Sequence, residues 1–415
     1  MPSASFVHIG DVHLHDGPRQ ADRLRALGQI IREGRTLPDL GAWLIPGDLF
    51  HARSSIASRN ALAEILAMMV AVAPVEIVPG NHDVPGDLDI YSLLGGQYPV
   101  HVYRTPCVET FVLAGAGRQR ASVFALPYPT TAGLLAENYA LPDIPAAARG
   151  ALEALFIQAG DQLRRARDEG QITLCIGHAN VDGAIMSTGQ PVIGAEISVD
   201  QALLAHLPED CYIGLNHIHK AQDVGRATYA GSICRLNWGE IEPKSYVVAR
   251  YNLAAGGLLW ALSPPERRPI DVAPLYHVEA RLTRAGIEDL RVTNGPEGGV
   301  MEMPPTWDGC EIRLRATYLQ SEGLVLQDAQ AQARRLFTGA VRFEFEPVCV
   351  KDHALRAPEV AGAATLPEKV AAWARVVGTT LPADVATKLE QLEATDPDLV
   401  VAAVETKLTW EMALV

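Results

Sequence analysis

Five short apolar runs in the first half of the chain each lead into carboxylate, imidazole or amide side chains, and no other feature constrains the fold as tightly. They are FVHIG before Asp11 and His13, AWLIPGD ending on Asp48 with His51 behind it, VEIVPG before Asn81, His82 and Asp83, ITLCIGH ending on His178, and CYIGLNH, which carries His217 and leads to His219. Apolar runs of this length, bounded by turn residues, read as strands buried on both faces. Between them, residues 22–34, 56–72 and 146–169 space their apolar side chains at helical intervals. Strands alternating with helices define an α/β domain. Catalytic groups in such sheets gather where strands end, so the polar strand ends mark one rim as the site.

From about Tyr276 the pattern changes to alternation of apolar and charged residues, in HVEARL, CEIRLRATYL and VRFEFEPV. Such strands have one wet face. With a helix at 326–337 between the last two, they read as a small α+β cap resting on the first domain. An Ala- and Pro-rich stretch over 351–365 reads as a linker. Beyond it Thr365 and Glu368 have capping-box spacing, Val370, Trp373, Ala374 and Val377 form an apolar stripe, and Gly378 ends the helix. A second helix carries Val385, Leu389 and Leu392, and Asp396-Pro397 opens a third. The expected division is a first domain over 1–265, a cap over 270–350, the linker, and a helical partner-binding module over 366–415.

No stretch approaches the roughly 20 apolar residues of a membrane helix, and the N-terminus shows no leader pattern; a soluble, cytoplasmic protein is expected. The six cysteines (Cys107, Cys175, Cys211, Cys234, Cys310, Cys349) are scattered without a CxxC pair and read as reduced, buried thiols. A formal charge of −14 works against nucleic-acid binding, which draws on Lys and Arg. Any contact with DNA must use bound metal, local basic patches or a partner.

A donor set mixing carboxylate, imidazole and amide suits manganese, iron or zinc and suits calcium poorly. The candidate ligands outnumber what one ion coordinates, so two ions are implied. The order DxH, GDxx, GNHD, H, HxH resembles the calcineurin-like metallophosphoesterase superfamily over roughly residues 5–250. That resemblance implies a β-sandwich flanked by helices. It places Asp11, His13 and His219 on one metal and Asn81, His178 and His217 on the other, with Asp48 bridging. Paired metals in such centres activate water and clamp the oxygens of an in-line displacement at phosphorus. His82, left free, would protonate or stabilise the leaving oxygen.

Within the superfamily, GDLFHARSS, VPGNHD, ALPYPT, HIHKAQ and YAGS are similar to the SbcD-type nucleases of double-strand-break repair. This similarity implies a DNA exo- or endonuclease with manganese the expected metal, an assisting role for His51, and a DNA-facing cap. It also implies C-terminal helices that dock on an SbcC-like coiled-coil ATPase, and a homodimer formed through 56–72 and 90–94. Three positions depart from the pattern: Asn216 stands for the glycine of GHxH, Val12 for a tryptophan and His15 for a glycine.

Each residue also has a plainer reading. The seven ligands could be caps and satisfied core histidines, His82 a neighbour of the site, and His51 a loop residue. His8 reads as a core histidine, and Tyr128 as a turn-packing aromatic or a base-stacking one. The alternatives to a nuclease are a small-nucleotide phosphodiesterase or phosphatase, which the acidic charge favours, and a non-catalytic structural subunit.

Overall fold

The computed structural model describes residues 2–115, 118–135, 144–191, 196–254, 259–293, 299–320, 326–350 and 358–393. The buried strands divide between two sheets. In the first, β1 (Ser3–His8), β2 (Leu40–Pro46), β3 (Val75–Val78) and β4 (Val100–Val102) run parallel. β11 (Ser245–Leu253) pairs antiparallel with β1 and carries β12 (Trp260–Leu262) and β13 (Glu266–Pro269) beyond it. The second sheet has the order β5 (Cys107–Val112), β6 (Arg120–Leu126), β7 (Ile172–His178), β8 (Tyr212–Asn216), β10 (Ala227–Tyr229), β9 (Gln222–Val224).

Side-chain alternation decides how the layers stack. Val7, Trp43, Ile45 and Ile77 face one way, against α1 (Gln20–Gly34) and α2 (Ile56–Val70). Their neighbours Phe6, Ala42, Leu44 and Val78 face the other way and meet Val123, Ala125, Leu174 and Ile176 of the second sheet. Phe124, Leu126, Cys175 and Ile213 then point outward onto Leu152, Phe156 and Leu163 of α4 (Ile144–Asp168). The result is a helix–sheet–sheet–helix sandwich with three apolar layers, in which both faces of each central strand are dry. The short helices α3 (Thr131–Leu134) and α5 (Gln201–Leu204) lie in loops of the second half. Because β1–β3 are parallel, and β7 and β8 likewise, the polar strand ends of both sheets emerge on one rim.

The third sheet has the order β16 (Val300–Met301), β15 (Gly286–Thr293), β14 (Leu275–Thr283), β17 (Glu311–Leu319), β18 (Arg342–Val350). Val278, Ala280, Leu282, Ile312, Leu314 and Ala316 pack beneath Ala333 and Phe337 at α6 (Leu326–Leu336), leaving the alternate positions wet. The β15–β16 strands are not legible in the sequence: GIEDLRVT places an apolar residue at Ile287, Leu290 and Val292, without strict alternation.

The sheet docks on the sandwich through charge. Arg19 donates twice to Glu311 at 2.8 Å, and Arg342 contacts the same carboxylate while bonding Asp22 (2.9 Å) and the Pro18 carbonyl (2.7 Å). Beyond it, α7 (Pro358–Ala361), α8 (Leu366–Val377) and α9 (Ala383–Glu393) form a short helical tail. Thr365 and Glu368 make the expected reciprocal capping box, and Gly378 ends α8 with φ of 70°. The third helix expected at Asp396-Pro397 lies outside the described residues, as do residues 351–357 of the expected linker, whose later part holds α7.

The cysteines require a correction. Cys175, Cys211, Cys234 and Cys310 are buried free thiols, but Cys107 is half-buried and Cys349 is exposed, because β18 is an edge strand. Among the described residues no helix is long and apolar enough to cross a membrane.

Removing one member of a buried ion pair leaves the others uncompensated. Glu311→Gln is expected to lower the unfolding free energy by about 3 kcal/mol in a urea titration. A loss below about 0.5 kcal/mol would show the contact to be a screened surface pair.

Candidate metal centre

The rim loops are pinned to one another by backbone bonds before any side chain is considered. His13 N donates to Asp48 O (2.8 Å) and Leu14 N to Leu49 O (2.7 Å), joining the loops after β1 and β2. Asp83 accepts from the amides of Gly80 (2.9 Å), Phe50 (2.9 Å) and Leu49 (3.3 Å), tying in the loop after β3. Its carboxyl is pushed up to about 6 by burial and by the charge of Asp48. Asp83 is thus a clamp. Asn216 bonds the Ile9 carbonyl (3.0 Å) and His8 (3.1 Å), which also meets the Tyr212 hydroxyl (2.8 Å), so this pair braces β1 against β8 through the interior.

Three donors sit on backbone that only glycine adopts easily: φ is 51° at His13, 52° at Asp48 and 102° at His217. Such strain, about 1–3 kcal/mol per residue, persists where surroundings over-determine it and concentrates at functional sites. Asn216, which stands for the glycine of GHxH, does not take the left-handed backbone; that falls on His217, and the Asn216 side chain bonds across the interior. Gly47 (φ 100°) and Gly80 are fixed by crowding, since a Cβ at either would stand 2.1 Å from His178 Nδ1 or Asp48 Oδ1.

Asp48 occupies the centre. Its Oδ1 accepts from His82 N (2.9 Å), while Oδ2 lies 3.4 Å from His13 Nε2 and 3.3 Å from His178 Nε2. One carboxylate oxygen therefore stands between imidazoles from two loops. Asn81 Oδ1 is 3.0 Å from His178 Nε2 and 3.1 Å from His217 Nδ1. Asp11 Oδ1 accepts from His217 N (3.1 Å), but Asp11 Oδ2 and His13 Nε2 are buried without a hydrogen-bond partner. His219 stacks edge-on to His13, with ring centres 5.2 Å apart.

The electrostatics favour positive charge here. Burial opposes charge on Asp48 and on His178, yet their mutual attraction holds the carboxyl far below its ordinary range and lifts the imidazole to about 9. His13, dominated by burial, is driven well below its usual value. Oxygen and nitrogen lone pairs converging in a dry, negative pocket, two of them orphaned, fit divalent cations.

Two carboxylates that sequence reading missed complete the arrangement. Glu196 Oε1 lies 2.6 Å from His217 Nε2, and Glu240 Oε1 lies 3.1 Å from His219 Nδ1. A carboxylate behind a histidine fixes its tautomer and raises its basicity toward a metal. Burial would raise the Glu240 carboxyl, but the His219 bond and Lys244, at 2.6 Å, hold it at about 2. Gln190 clamps the turn, donating to His217 O (2.6 Å) and accepting from His219 N (3.1 Å). His178 Nδ1 instead donates to the Pro46 carbonyl (3.0 Å), which turns Nε2 toward Asp48 and Asn81.

His51 and His82 lie on the outer side of His13. His82 Nδ1 donates to the His51 carbonyl (2.6 Å), the two rings stack at 5.4 Å and 18°, and His51 Nδ1 is 3.3 Å from His13 Nδ1. Donor atoms of His13, His51 and His82 lie within 4.8 Å of one another, as do those of Asp11, Asp48 and His178. Burial, His82, His15 and Arg23 lower His51 to about 4. His15 accepts from Arg23 (2.7 Å) and stands 5.0 Å from the His51 ring.

Glu196→Gln is expected to weaken binding of one of two manganese ions about tenfold or more, measured by calorimetric titration. Unchanged affinity at both sites would show that Glu196 does not support His217.

Residues 4–210 match the calcineurin-like phosphoesterase family. The chain is 25% identical over 254 residues to the SbcD subunit of the nuclease SbcCD of Bacillus subtilis (strain 168), a match covering 57% of this chain and 63% of that protein. It thus spans less than two thirds of that relative's length. The sandwich, the rim of mixed donors and the match over residues 4–210 agree, and through this domain the chain belongs to the calcineurin-like phosphoesterase family.

Proposed function

We propose that the chain is a dinuclear metal-dependent nuclease acting on DNA phosphodiesters, the nuclease subunit of an SbcCD-like repair complex. The observation carrying this reading is Asp48 Oδ2 held between His13 and His178 beside the orphaned Asp11 Oδ2 and His13 Nε2. Asp11, His13 and His219 would hold one cation, Asn81, His178 and His217 the other, and Asp48 both. Mn²⁺ suits this donor set, as do iron and zinc. Bound there, the pair supplies Lewis acidity to the phosphodiester and to water.

The chain supplies the rest. With Nδ1–H donating to the His51 carbonyl, the exposed His82 ring turns Nε2 away from that contact, and in its imidazolium form Nε2–H would protonate or hydrogen-bond a leaving oxygen. His51 holds the ring's orientation through its carbonyl and stacks on it. DNA is favoured as substrate by the wet face of the third sheet, where Arg291 and Arg315 flank Glu279 in register and Arg313 and Arg281 stand above and below. That face adjoins the site, since His277 bonds the Trp238 carbonyl (2.7 Å) two residues from Glu240. The charge of −14 favours the second reading, a phosphodiesterase or phosphatase for small nucleotides. The full donor set speaks against a purely structural subunit.

The tail and α2 support partners. Trp373, Val376 and Val377 are about half exposed, a face suited to an SbcC-like coiled-coil ATPase. Ile56 on α2 and Ile90 and Leu93 nearby are more exposed still, which suits a homodimer.

Linear duplex, single-stranded circle and a small diester, each incubated with the manganese-loaded chain, separate the readings. DNA should be cut preferentially and chelation should stop it; a preference for the small diester would favour the second reading. His82→Ala is expected to retain both cations and lose about 10²–10⁴ in turnover; loss of metal would make His82 a ligand. Truncation before Thr365 should abolish ATPase binding while small-diester hydrolysis persists. Full-strength capture of the ATPase by the truncated chain would place the partner site elsewhere.

A further inference from the structure

On the Asn81 side of the metal centre lies a cavity of about 380 Å³. Asn81 itself forms part of its wall, so the cavity opens directly from the donor set of the second cation. Val84, Leu88 and the ring of Tyr128 make it largely apolar, and Arg104 and Asp89, paired at 3.1 Å, stand at its edge. The Tyr128 ring centre is 5.5 Å from that of His217 and 6.1 Å from that of His178. Tyr128 N donates to the Pro79 carbonyl (3.3 Å), which fixes the aromatic to the segment that carries Asn81. The side chain is half-buried against the metal-site histidines rather than sunk in an apolar layer, so turn packing alone does not account for its place.

A cavity of this size takes a compact organic group. One aromatic wall, aliphatic neighbours and a charged pair at the edge fit a flat heteroaromatic ring with polar edges. In a nucleotide the group of this shape, carried on the sugar that bears the phosphate, is the base. We propose that the cavity is a base-binding subsite, in which the nucleobase beside the scissile phosphodiester leaves its stack and lies against Tyr128 while the phosphate occupies the metal centre. The proposal rests on the phosphodiesterase reading above. Stacking tolerates any base because each has a π face, so the subsite selects for the presence of a base and discriminates little among the four.

The test uses the full chain loaded with manganese and chromogenic diesters sharing one leaving group: thymidine 5′- and 3′-(p-nitrophenyl phosphates), and ethyl p-nitrophenyl phosphate, which lacks a base. At least one thymidine ester should exceed the ethyl ester in kcat/KM by about tenfold or more, through a lower KM. Tyr128→Ala should collapse that ratio by about tenfold, and Tyr128→Phe should keep it. Val84→Trp, which narrows the cavity from an exposed position, should produce the same loss by a second route. Equal kcat/KM for all three esters in the unaltered chain, or a ratio unmoved by Tyr128→Ala and Val84→Trp, would overturn the subsite and leave the metal centre standing. Failure to hydrolyse any ester with manganese bound would overturn the phosphodiesterase reading and the subsite with it.

Discussion

Two carboxylates taken out of water set the terms for the rest of the molecule. Asp11 and Asp48 are almost fully buried, and among the described residues their ion-pair partners are histidines rather than lysine or arginine. Burying a carboxylate costs several kcal/mol unless a cation and hydrogen bonds compensate. Here backbone amides of His82 and His217 each satisfy one oxygen, and imidazoles crowd the others without closing every lone pair. Divalent cations would complete what the protein leaves open. The strained backbone at His13, Asp48 and His217 is explained the same way, because each twist turns a donor inward and the pinned loops keep it there.

The donors at the strand ends are legible in sequence because each follows a run whose burial is obvious. Asp48 and His178 come directly off β2 and β7, and parallel strands carry them to one rim. The division into two sheets is not legible from alternation alone, since Phe6 and Val7 are equally apolar yet face different layers. Glu196 and Glu240 escape detection for a related reason. Each lies in irregular chain, 21 residues from the histidine it supports, and no period links a loop carboxylate to a distant imidazole. Asn216 reads as a lost turn glycine and is in fact a buried brace to His8, a role visible only once β1 and β8 face each other.

Charge is distributed unevenly enough to reconcile an acidic chain with a phosphate-bearing substrate. The carboxylates behind the histidines and in the docking contact are internal, while on the wet face of the third sheet Arg281, Arg291, Arg313 and Arg315 alternate with Glu279, Glu344 and Glu346. Glu311, shared by Arg19 and Arg342, fixes that face relative to the sandwich through buried ion pairs whose geometry is specific. Were DNA the substrate, the arginines of that face would act on it locally and without the whole protein being basic, since screening confines charge effects to about 8–10 Å at physiological salt.

The centre's defining feature is a single aspartate oxygen, Asp48 Oδ2, lying between His13 and His178, and anomalous X-ray scattering at the manganese edge from crystals grown with manganese tests directly whether two cations would share it. Two peaks per chain are expected, one among Asp11, His13 and His219 and one among Asn81, His178 and His217, with Asp48 Oδ2 between them. A single peak, or a pair bound away from Asp48, would contradict it.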